Sequence, residues 1–309
     1  MMAFPQQESF APPFPEVSHA PAGAAGEVEI AYQEFGHPDD PPLVLVPGLG
    51  TQMIYWDEPL CQMLLDRGFR VIRMENRDSG ASTVLDNLGT PESASLFLGL
   101  RRGVRYGLEE MADDLVALLD HLGIERAHFA GFSMGGMIVQ TFAIRHPDRL
   151  ASLCSIMAGT GNRIDALPAP KQGVALLRPR PLDLDGFIAH VEMLARTLGS
   201  TSLPPDPERL RRLATLAWYR GIHPDGTARQ LHAVGTQRER TRALASVSAP
   251  TLVIHGAADR LVLPRGGRRT AAAIPNARLR VYEGMAHDMP EQLWPQFAAE
   301  IEANAHRPV

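Results

Sequence analysis

The sequence has 309 residues, of which 45% are hydrophobic and 21% charged, with a formal net charge of −5. This length allows one large α/β domain or two smaller ones, and the apolar content is sufficient for a large core. The arginines of the sequence are scattered among acidic residues, which argues against nucleic-acid binding. No apolar run is long enough to cross a bilayer.

The first 25 residues are rich in proline and alanine. They lack the basic segment followed by an apolar segment that is typical of a secretory signal. We therefore expect a loose N-terminal arm at 1–25 and a cytoplasmic protein, monomeric or weakly self-associating. Cys61 and Cys154 lie in apolar contexts, so a disulfide framework is not expected.

Strand-like and helix-like patterns alternate along the chain after this arm. Strands are predicted at 27–35, 43–46, 69–74, 128–130, 150–157, 250–256 and 278–282, and helices at 56–67, 109–122, directly after Gly136, at 266–274 and after Pro290. The first strand alternates polar and apolar residues and is expected to be antiparallel, whereas most of the others are continuous apolar runs. The alternation predicts an α/β fold with a mainly parallel sheet and helices on both faces.

The segment 159–243 interrupts this alternation. It is rich in proline and arginine, and only short helical patterns occur in it, around 187–198 and 207–219. An insertion at this point would overhang the carboxyl edge of the sheet, where open α/β sheets bind ligands. We interpret 159–243 as a lid over the site, with the core formed by 26–158 and 244–309.

The most informative motif is Gly131-Phe132-Ser133-Met134-Gly135, between a short apolar run and a helical pattern. Gly-x-Ser-x-Gly in a strand–turn–helix context is typical of a nucleophile elbow, a sharp turn that presents a serine hydroxyl above the sheet edge. The glycines on both sides would let the strand and the helix approach each other closely. We predict that Ser133 is a nucleophile.

A serine hydroxyl needs a base to accept its proton, and that base is usually a histidine held by a carboxylate. His287 follows the last strand in a loop and is our candidate base. Asp259 follows the preceding strand and is our candidate acid. His255, at a strand end, is interpreted as structural, and Asp288 is too close in sequence to His287 to orient its ring easily. Further candidates are His190, His223, His232, Asp165, Asp183 and Asp185, all within 159–243.

Acyl transfer also needs two donors for the oxyanion that develops on the carbonyl. The elbow would supply the backbone N–H of Met134. The second donor is expected in Pro47-Gly48-Leu49-Gly50, directly after a predicted buried strand. We assign it to the N–H of Leu49.

These motifs together, in this order, resemble the α/β-hydrolase fold superfamily. The matching segments are 46–50, 75–82, 131–136, 250–259 and 284–287, and the Asn-Arg-Asp-Ser-Gly-x-Ser and Gly-Leu-Gly motifs are similar to the aclacinomycin methylesterase-like branch. The resemblance implies an eight-stranded sheet with a helical lid after the sixth strand. It also implies a carboxylesterase without metal or cofactor that acts on a small-molecule ester. Pro47 stands where many members carry histidine, which affects the conformation of the oxyanion loop.

The resemblance leaves other activities open. Haloalkane dehalogenases and epoxide hydrolases of this fold carry aspartate at the elbow, so Ser133 disfavours both. Carbon–carbon bond hydrolases and cofactor-free perhydrolases (haloperoxidases) use the same three residue types, and a non-catalytic hydrolase-fold receptor is a further alternative. Substrate contacts are predicted for Phe132, Met53, Met157, Trp218 and Met285, because they fall near the expected site and methionines adapt to irregular apolar ligands.

Overall fold

The computed structural model describes residues 17–23, 26–91, 106–165 and 167–308, which form eight strands and nine α-helices. The strands are β1 (Ser18–Ala22), β2 (Val28–Phe35), β3 (Pro42–Val46), β4 (Arg70–Met74), β5 (Ala127–Phe132), β6 (Leu150–Ile156), β7 (Thr251–Gly256) and β8 (Arg278–Tyr282). The helices are α1 (Glu58–Leu65), α2 (Leu108–His121), α3 (Met134–Arg145), α4 (Pro170–Leu176), α5 (Leu184–Leu198), α6 (Pro207–Tyr219), α7 (Pro224–Gly235), α8 (Pro264–Ala273) and α9 (Trp294–Ala305). None of the helices in these ranges is both long and apolar enough to span a membrane.

All eight strands belong to one sheet in the order β1-β2-β4-β3-β5-β6-β7-β8. The pairs β1–β2 and β2–β4 are antiparallel, and every other pair is parallel. The predicted mainly parallel, eight-stranded sheet is therefore confirmed. The carboxyl ends of β3 to β8 consequently lie along the same edge, where the motifs identified in the sequence are brought together.

The prediction of a loose arm through residue 25 was wrong at its C-terminal end. Ser18–Ala22 forms β1 and pairs along its whole length with residues 28–32 of β2. Ala20 and Ala22 are buried, while Pro21 is exposed on the outermost strand. Proline is tolerated on an edge strand because its missing N–H is not needed by a further neighbour. Residues 1–16 lie outside the described residues.

Side chains on the central strands alternate between two apolar layers, one on each face of the sheet. In β3, Val44 and Val46 pack with helices α2 and α3, whereas Leu43 and Leu45 pack with α1 and α9. All four side chains are almost completely buried. The continuous apolar run that predicted this strand is thus explained by burial on both faces.

Four helices, α4 to α7, lie between β6 and β7, the position at which the sequence loses its regular alternation. Helices α5 and α6 agree with the short helical patterns found there. Helices α4 and α7 were not predicted: α4 has only seven residues, and both contain an internal glycine, Gly173 and Gly226. A third apolar cluster packs this insertion, defined here as 159–243, onto the core through Met53, Phe187 and Ala214. Its role as a lid stays a prediction.

Candidate active site

Ser133 lies in the tight turn between β5 and α3. Its backbone torsions, φ 54° and ψ −120°, are outside the regions that non-glycine residues prefer. The Ser133 N–H donates to the carbonyl of Ile156 at 2.9 Å, and its carbonyl accepts the first helical bond, from Met137 at 3.2 Å. Neighbouring strand and helix therefore hold a strained conformation that would not persist alone.

Two glycines allow the close packing of strand, turn and helix that this strain requires. A β-carbon at Gly131 would clash with the backbone of Gly135, and one at Gly135 would clash with the carbonyl oxygens of Val46 and Pro47. Any side chain at either position would push α3 away from the sheet. The glycines of the motif are thus required by backbone contacts rather than by flexibility.

His287 lies in the loop after β8 and reaches Ser133 across the sheet edge. The distance from His287 Nε2 to Ser133 Oγ is 2.9 Å, and that from His287 Nδ1 to Asp259 Oδ2 is 2.8 Å. An ionised carboxylate can only accept, so Nδ1 carries the proton and donates it to Asp259. Nε2 is then the acceptor for the serine hydroxyl. The three residues predicted from sequence are thus connected by two hydrogen bonds through His287.

Asp259 is buried in the loop after β7, and its second oxygen is also satisfied. Oδ1 accepts from the backbone N–H groups of Leu261 at 2.8 Å and Val262 at 3.0 Å. Burial alone would raise the pKa of this carboxyl, but its electrostatic interaction and hydrogen bond with His287, together with the nearby ring of His255, outweigh it. The pKa of Asp259 is therefore well below its ordinary value. The carboxylate is ionised at neutral pH and keeps one face toward His287.

His255 is completely buried next to this carboxylate. Its Nε2 lies 2.8 Å from the carbonyl oxygen of Val262 and 3.5 Å from Asp259 Oδ2. Its Nδ1 has no hydrogen-bond partner among the described residues and packs against the backbone of Gly267. Among the described residues, His255 Nε2 contacts Val262 and Asp259 but not Ser133, in agreement with its interpretation as a structural residue.

The loop that carries His287 is attached to the insertion by several hydrogen bonds. The His287 N–H donates to the carbonyl of Leu198 at 3.0 Å, and the Ala286 N–H donates to Ser200 Oγ at 2.8 Å. Asp288 accepts from the N–H of Ser200 at 2.9 Å and from its hydroxyl at 2.5 Å. Asp288 is thus bonded to Ser200 rather than to the imidazole. Sequence reasoning did not identify Ser200, because a serine after a helix has no distinctive pattern.

The loop after β3 carries the predicted oxyanion donor, Leu49. A β-carbon at Gly48 would lie 3.3 Å from Ser133 Cβ, so this loop passes directly beside the nucleophile. The Gly50 N–H donates to Gln230 Oε1 at 2.7 Å, and the Gly50 carbonyl accepts from Arg180 at 3.0 Å. Both bonds come from the insertion, and both were missed from sequence.

The two predicted oxyanion donors, the N–H groups of Met134 and Leu49, bond to no acceptor in the described part of the chain. Met134 is the first residue of α3, where backbone N–H groups have no acceptor within the helix. Among the described residues, none accepts from the N–H of Leu49. Both N–H groups lie near Ser133: Met134 is the next residue in the sequence, and Leu49 follows Gly48, which packs beside Ser133. The role of these N–H groups as oxyanion donors remains a prediction.

The predicted substrate contacts are mostly buried within apolar clusters. Met53 and Met285 are completely inaccessible, Met157 is 2% exposed and Phe132 8% exposed. Trp218 is half-buried and packs on Phe187 with ring centroids 5.7 Å apart. Among the residues described, no group of three or more His, Cys, Asp or Glu side chains could hold a metal ion. Contact of these five residues with substrate stays a prediction, and packing accounts for the burial of four of them.

The chain is similar to known proteins over most of its length. The alpha/beta hydrolase fold family matches residues 41–292. Rhodomycin D methylesterase DnrP of Streptomyces peucetius is 27% identical over 296 residues, 89% of this chain and 94% of the relative. 3-Oxoadipate enol-lactonase 2 of Acinetobacter baylyi is 29% identical over 262 residues, 84% and 86% of the two chains. A thermophilic esterase from Thermogutta terrifontis superposes with a TM-score of 0.71 at 25% identity, over 95% of this chain and all of the esterase chain.

Proposed function

Because the chain belongs to the α/β-hydrolase fold family, we propose that it hydrolyses carboxylic esters of small molecules through an acyl-enzyme intermediate. The observation that carries the proposal is the continuous set of hydrogen bonds from Ser133 through His287 to Asp259. The similarity to a methylesterase supports the ester as the bond cleaved.

In the proposed first step, Ser133 Oγ attacks the ester carbonyl while His287 Nε2 accepts its proton. The 2.9 Å contact between these atoms is within reach for direct proton transfer. Asp259 keeps the imidazole in the tautomer with Nδ1 protonated and stabilises the imidazolium that forms. Its lowered pKa suits this role, because the carboxylate must stay ionised throughout.

The oxyanion formed by this attack would be held by the backbone N–H groups of Met134 and Leu49. Fixed donors of this kind stabilise charge that develops only in the transition state. The imidazolium of His287 would then protonate the leaving alcohol. A water deprotonated by His287 would attack the acyl-enzyme from the same side, which releases the acid and restores Ser133.

The test is hydrolysis of p-nitrophenyl esters from acetate to long acyl chains by the wild-type protein, by Ser133→Ala and by a control, Thr201→Ala, at an exposed position. We expect Ser133→Ala to lower kcat by several orders of magnitude, on the order of 10⁴–10⁶-fold, with the control unchanged. Near-normal turnover by Ser133→Ala would show that Ser133 is not the nucleophile.

Carbon–carbon bond hydrolysis is a second candidate for the same residues. A relative named 2-hydroxy-6-oxononadienedioate/2-hydroxy-6-oxononatrienedioate hydrolase, from Paraburkholderia xenovorans, is 29% identical over 267 residues. A panel that adds β-diketone-type substrates and peroxide-dependent halogenation to the simple esters separates C–C cleavage and perhydrolysis from ester hydrolysis. Stoichiometric binding of an ester without turnover would instead support a receptor.

A further inference from the structure

Arg180 lies beside the oxyanion loop, just before α5. Its guanidinium donates to the carbonyl of Gly50 at 3.0 Å and fills the space that a β-carbon at Gly50 would need. Gly50 is two residues from Gly48, which packs against Ser133. Two peptide units span at most about 7.6 Å between their α-carbons, so Arg180 is close to the reacting centre.

Arg180 lacks the acidic partner that several other partly buried arginines of the insertion have. Arg209 pairs with Asp57 at 2.8 Å. Arg220 pairs with Glu75, and Arg229 with Asp78, both at 2.7 Å. In the described part of the chain, no carboxylate forms an ion pair with Arg180, and its only hydrogen bond to these residues is to the neutral carbonyl of Gly50.

The described groups around Arg180 do not compensate its charge. Burial lowers the pKa of Arg180, with a smaller opposing effect from the hydroxyl of Tyr55. Burial also raises the pKa of Tyr55, and it lowers that of His190, an effect that Arg178 and Arg180 reinforce. At neutral pH the titratable groups that act on Arg180, among the residues described, are thus a neutral phenol, a neutral imidazole and a second arginine. A partly desolvated cation without a counter-ion is unfavourable, and binding an anion would relieve it.

Arg180 is nevertheless accessible to a ligand. It retains intermediate exposure, and none of its nitrogen atoms is both buried and without a partner. The guanidinium nitrogens that do not bond to Gly50 therefore keep exposed surface that a ligand can reach. Its planar fork can bind both oxygens of a carboxylate at once.

We infer that Arg180 binds a free carboxylate on the substrate, so that the preferred substrates are half-esters of dicarboxylic acids rather than neutral esters. The inference rests on the proposed function, because it assigns a substrate class to the same site. We expect a spacer of a few carbon atoms between this carboxylate and the scissile ester, because the α-carbons of Gly48 and Gly50 are at most about 7.6 Å apart. Binding would fix the ester carbonyl beside the oxyanion donors.

The experiment compares monomethyl esters of succinate, glutarate and adipate with the corresponding dimethyl esters. The proteins are wild type, Arg180→Gln, Arg180→Lys and the control Arg178→Gln, which removes an exposed neighbouring charge. We expect Arg180→Gln to lower kcat/KM for the half-esters about 10- to 100-fold, mainly through KM, as for loss of a charged hydrogen bond. Arg180→Lys should retain part of the kcat/KM for the half-esters, because lysine keeps the positive charge. It should not retain all of it, because lysine cannot bind both carboxylate oxygens as the planar guanidinium does. Rates of Arg180→Gln on the dimethyl esters should fall less than those on the half-esters, because loss of the bond to Gly50 affects both series whereas loss of the anion site affects only the half-esters. All rates of the control should be nearly unchanged.

Equal loss on half-esters and dimethyl esters in Arg180→Gln would overturn the inference, since it would show that Arg180 only supports the oxyanion loop. No effect on either series would also overturn it. If the variants do not fold, competitive inhibition of the wild type by glutarate but not by glutaramide supports the site, and its absence overturns it.

Calorimetric titration of Ser133→Ala with glutarate separates this inference from the proposed function. If Ser133→Ala binds glutarate but the wild type hydrolyses no ester, the anion site is supported and the esterase is rejected. In the opposite case, the wild type hydrolyses esters without preferring half-esters, and Ser133→Ala does not bind glutarate. That result would support the esterase and reject the anion site.

Discussion

The hydroxyl of Ser200 donates a hydrogen bond of 2.5 Å to Asp288, the residue next to His287. Ser200 follows α5 in the insertion, and its oxygen also accepts from the N–H of Ala286. A single serine therefore bridges the residues on both sides of His287. Since the N–H of His287 itself bonds to Leu198, this part of the insertion is attached to the loop of the proposed base. A lid that opened by moving residues 198–200 would displace His287.

The first prediction concerns this attachment. Ser200→Ala leaves the N–H of Ala286 and one oxygen of Asp288 without their partner in a buried environment. We expect the imidazole to lose its fixed position, so that kcat falls about tenfold or more while KM changes little. Kinetics on p-nitrophenyl acetate measure both constants.

Thr201→Ala, at the next and exposed position, is the matched control and should behave like wild type. Ser200→Thr keeps the hydroxyl and should restore part of kcat. A Ser200→Ala variant with lowered stability but normal kcat would show that the bridge is structural only.

The second prediction concerns Gln230, a completely buried residue on α7. Its Oε1 accepts from the N–H of Gly50, and its Nε2 donates to the carbonyl of Arg77, each at 2.7 Å. Gln230→Leu keeps the volume but leaves both backbone groups unpaired. We expect the N–H of Leu49 to shift from its proposed position at the oxyanion and kcat to fall about 10- to 100-fold, with a smaller change in KM.

Asp225→Asn, an exposed change on the same helix, is the control for this measurement. If Gln230→Leu weakened binding of a product acid as much as it slowed acylation, Gln230 would not act specifically on the oxyanion. Pre-steady-state release of p-nitrophenol measures acylation directly.

The sequence predicted the residues that meet at the site because each occupies a fixed place relative to a strand end. Ser133, Asp259 and His287 follow β5, β7 and β8, whose carboxyl ends share one edge of the sheet. Parallel strands place the residues that follow them along the same edge, which is why the sequence could predict that the three side chains meet.

The supporting contacts could not be predicted in this way. Ser200, Gln230 and Arg180 belong to an insertion without the periodicity of a sheet or a long amphipathic helix, and their partners lie 88, 180 and 130 residues away in sequence. Polar pairs at such separations depend on how the insertion packs on the core, which no local pattern encodes. The edge strand β1 was missed for a related reason, since Pro21 argues against a strand unless its edge position is known.

The third prediction tests the close packing at the elbow. A β-carbon at Gly135 would clash with two backbone carbonyl oxygens, which cannot rotate away as a side chain could. We expect Gly135→Ala to lower the free energy of unfolding by about 3 kcal/mol or to prevent folding. Gly159→Ala is the control, because its added carbon would make only ordinary contacts at 3.9 Å. Urea midpoints that are equal for the two variants would show that the elbow can relax.

The last prediction is the acid dependence of stability that Asp259 confers. Its pKa in the folded protein is lowered, so the ionised carboxylate stabilises the fold at pH values above the ordinary aspartate pKa of about 4. This contribution is lost as the pH falls toward the folded value, because the unfolded chain takes up the proton first. Asp259→Asn keeps an oxygen that can accept from Leu261 and Val262 but removes the titrating charge.

We therefore expect Asp259→Asn to be less stable than wild type at pH 7 by about 1–3 kcal/mol, with the difference shrinking between pH 5 and pH 3. Urea unfolding of both proteins at pH 7, 5, 4 and 3 measures this difference, in which all other carboxylates cancel. The exposed change Asp225→Asn should give a difference near zero throughout. A difference for Asp259→Asn that is constant from pH 7 to pH 3 would mean that lost packing, and not the lowered pKa, accounts for the change.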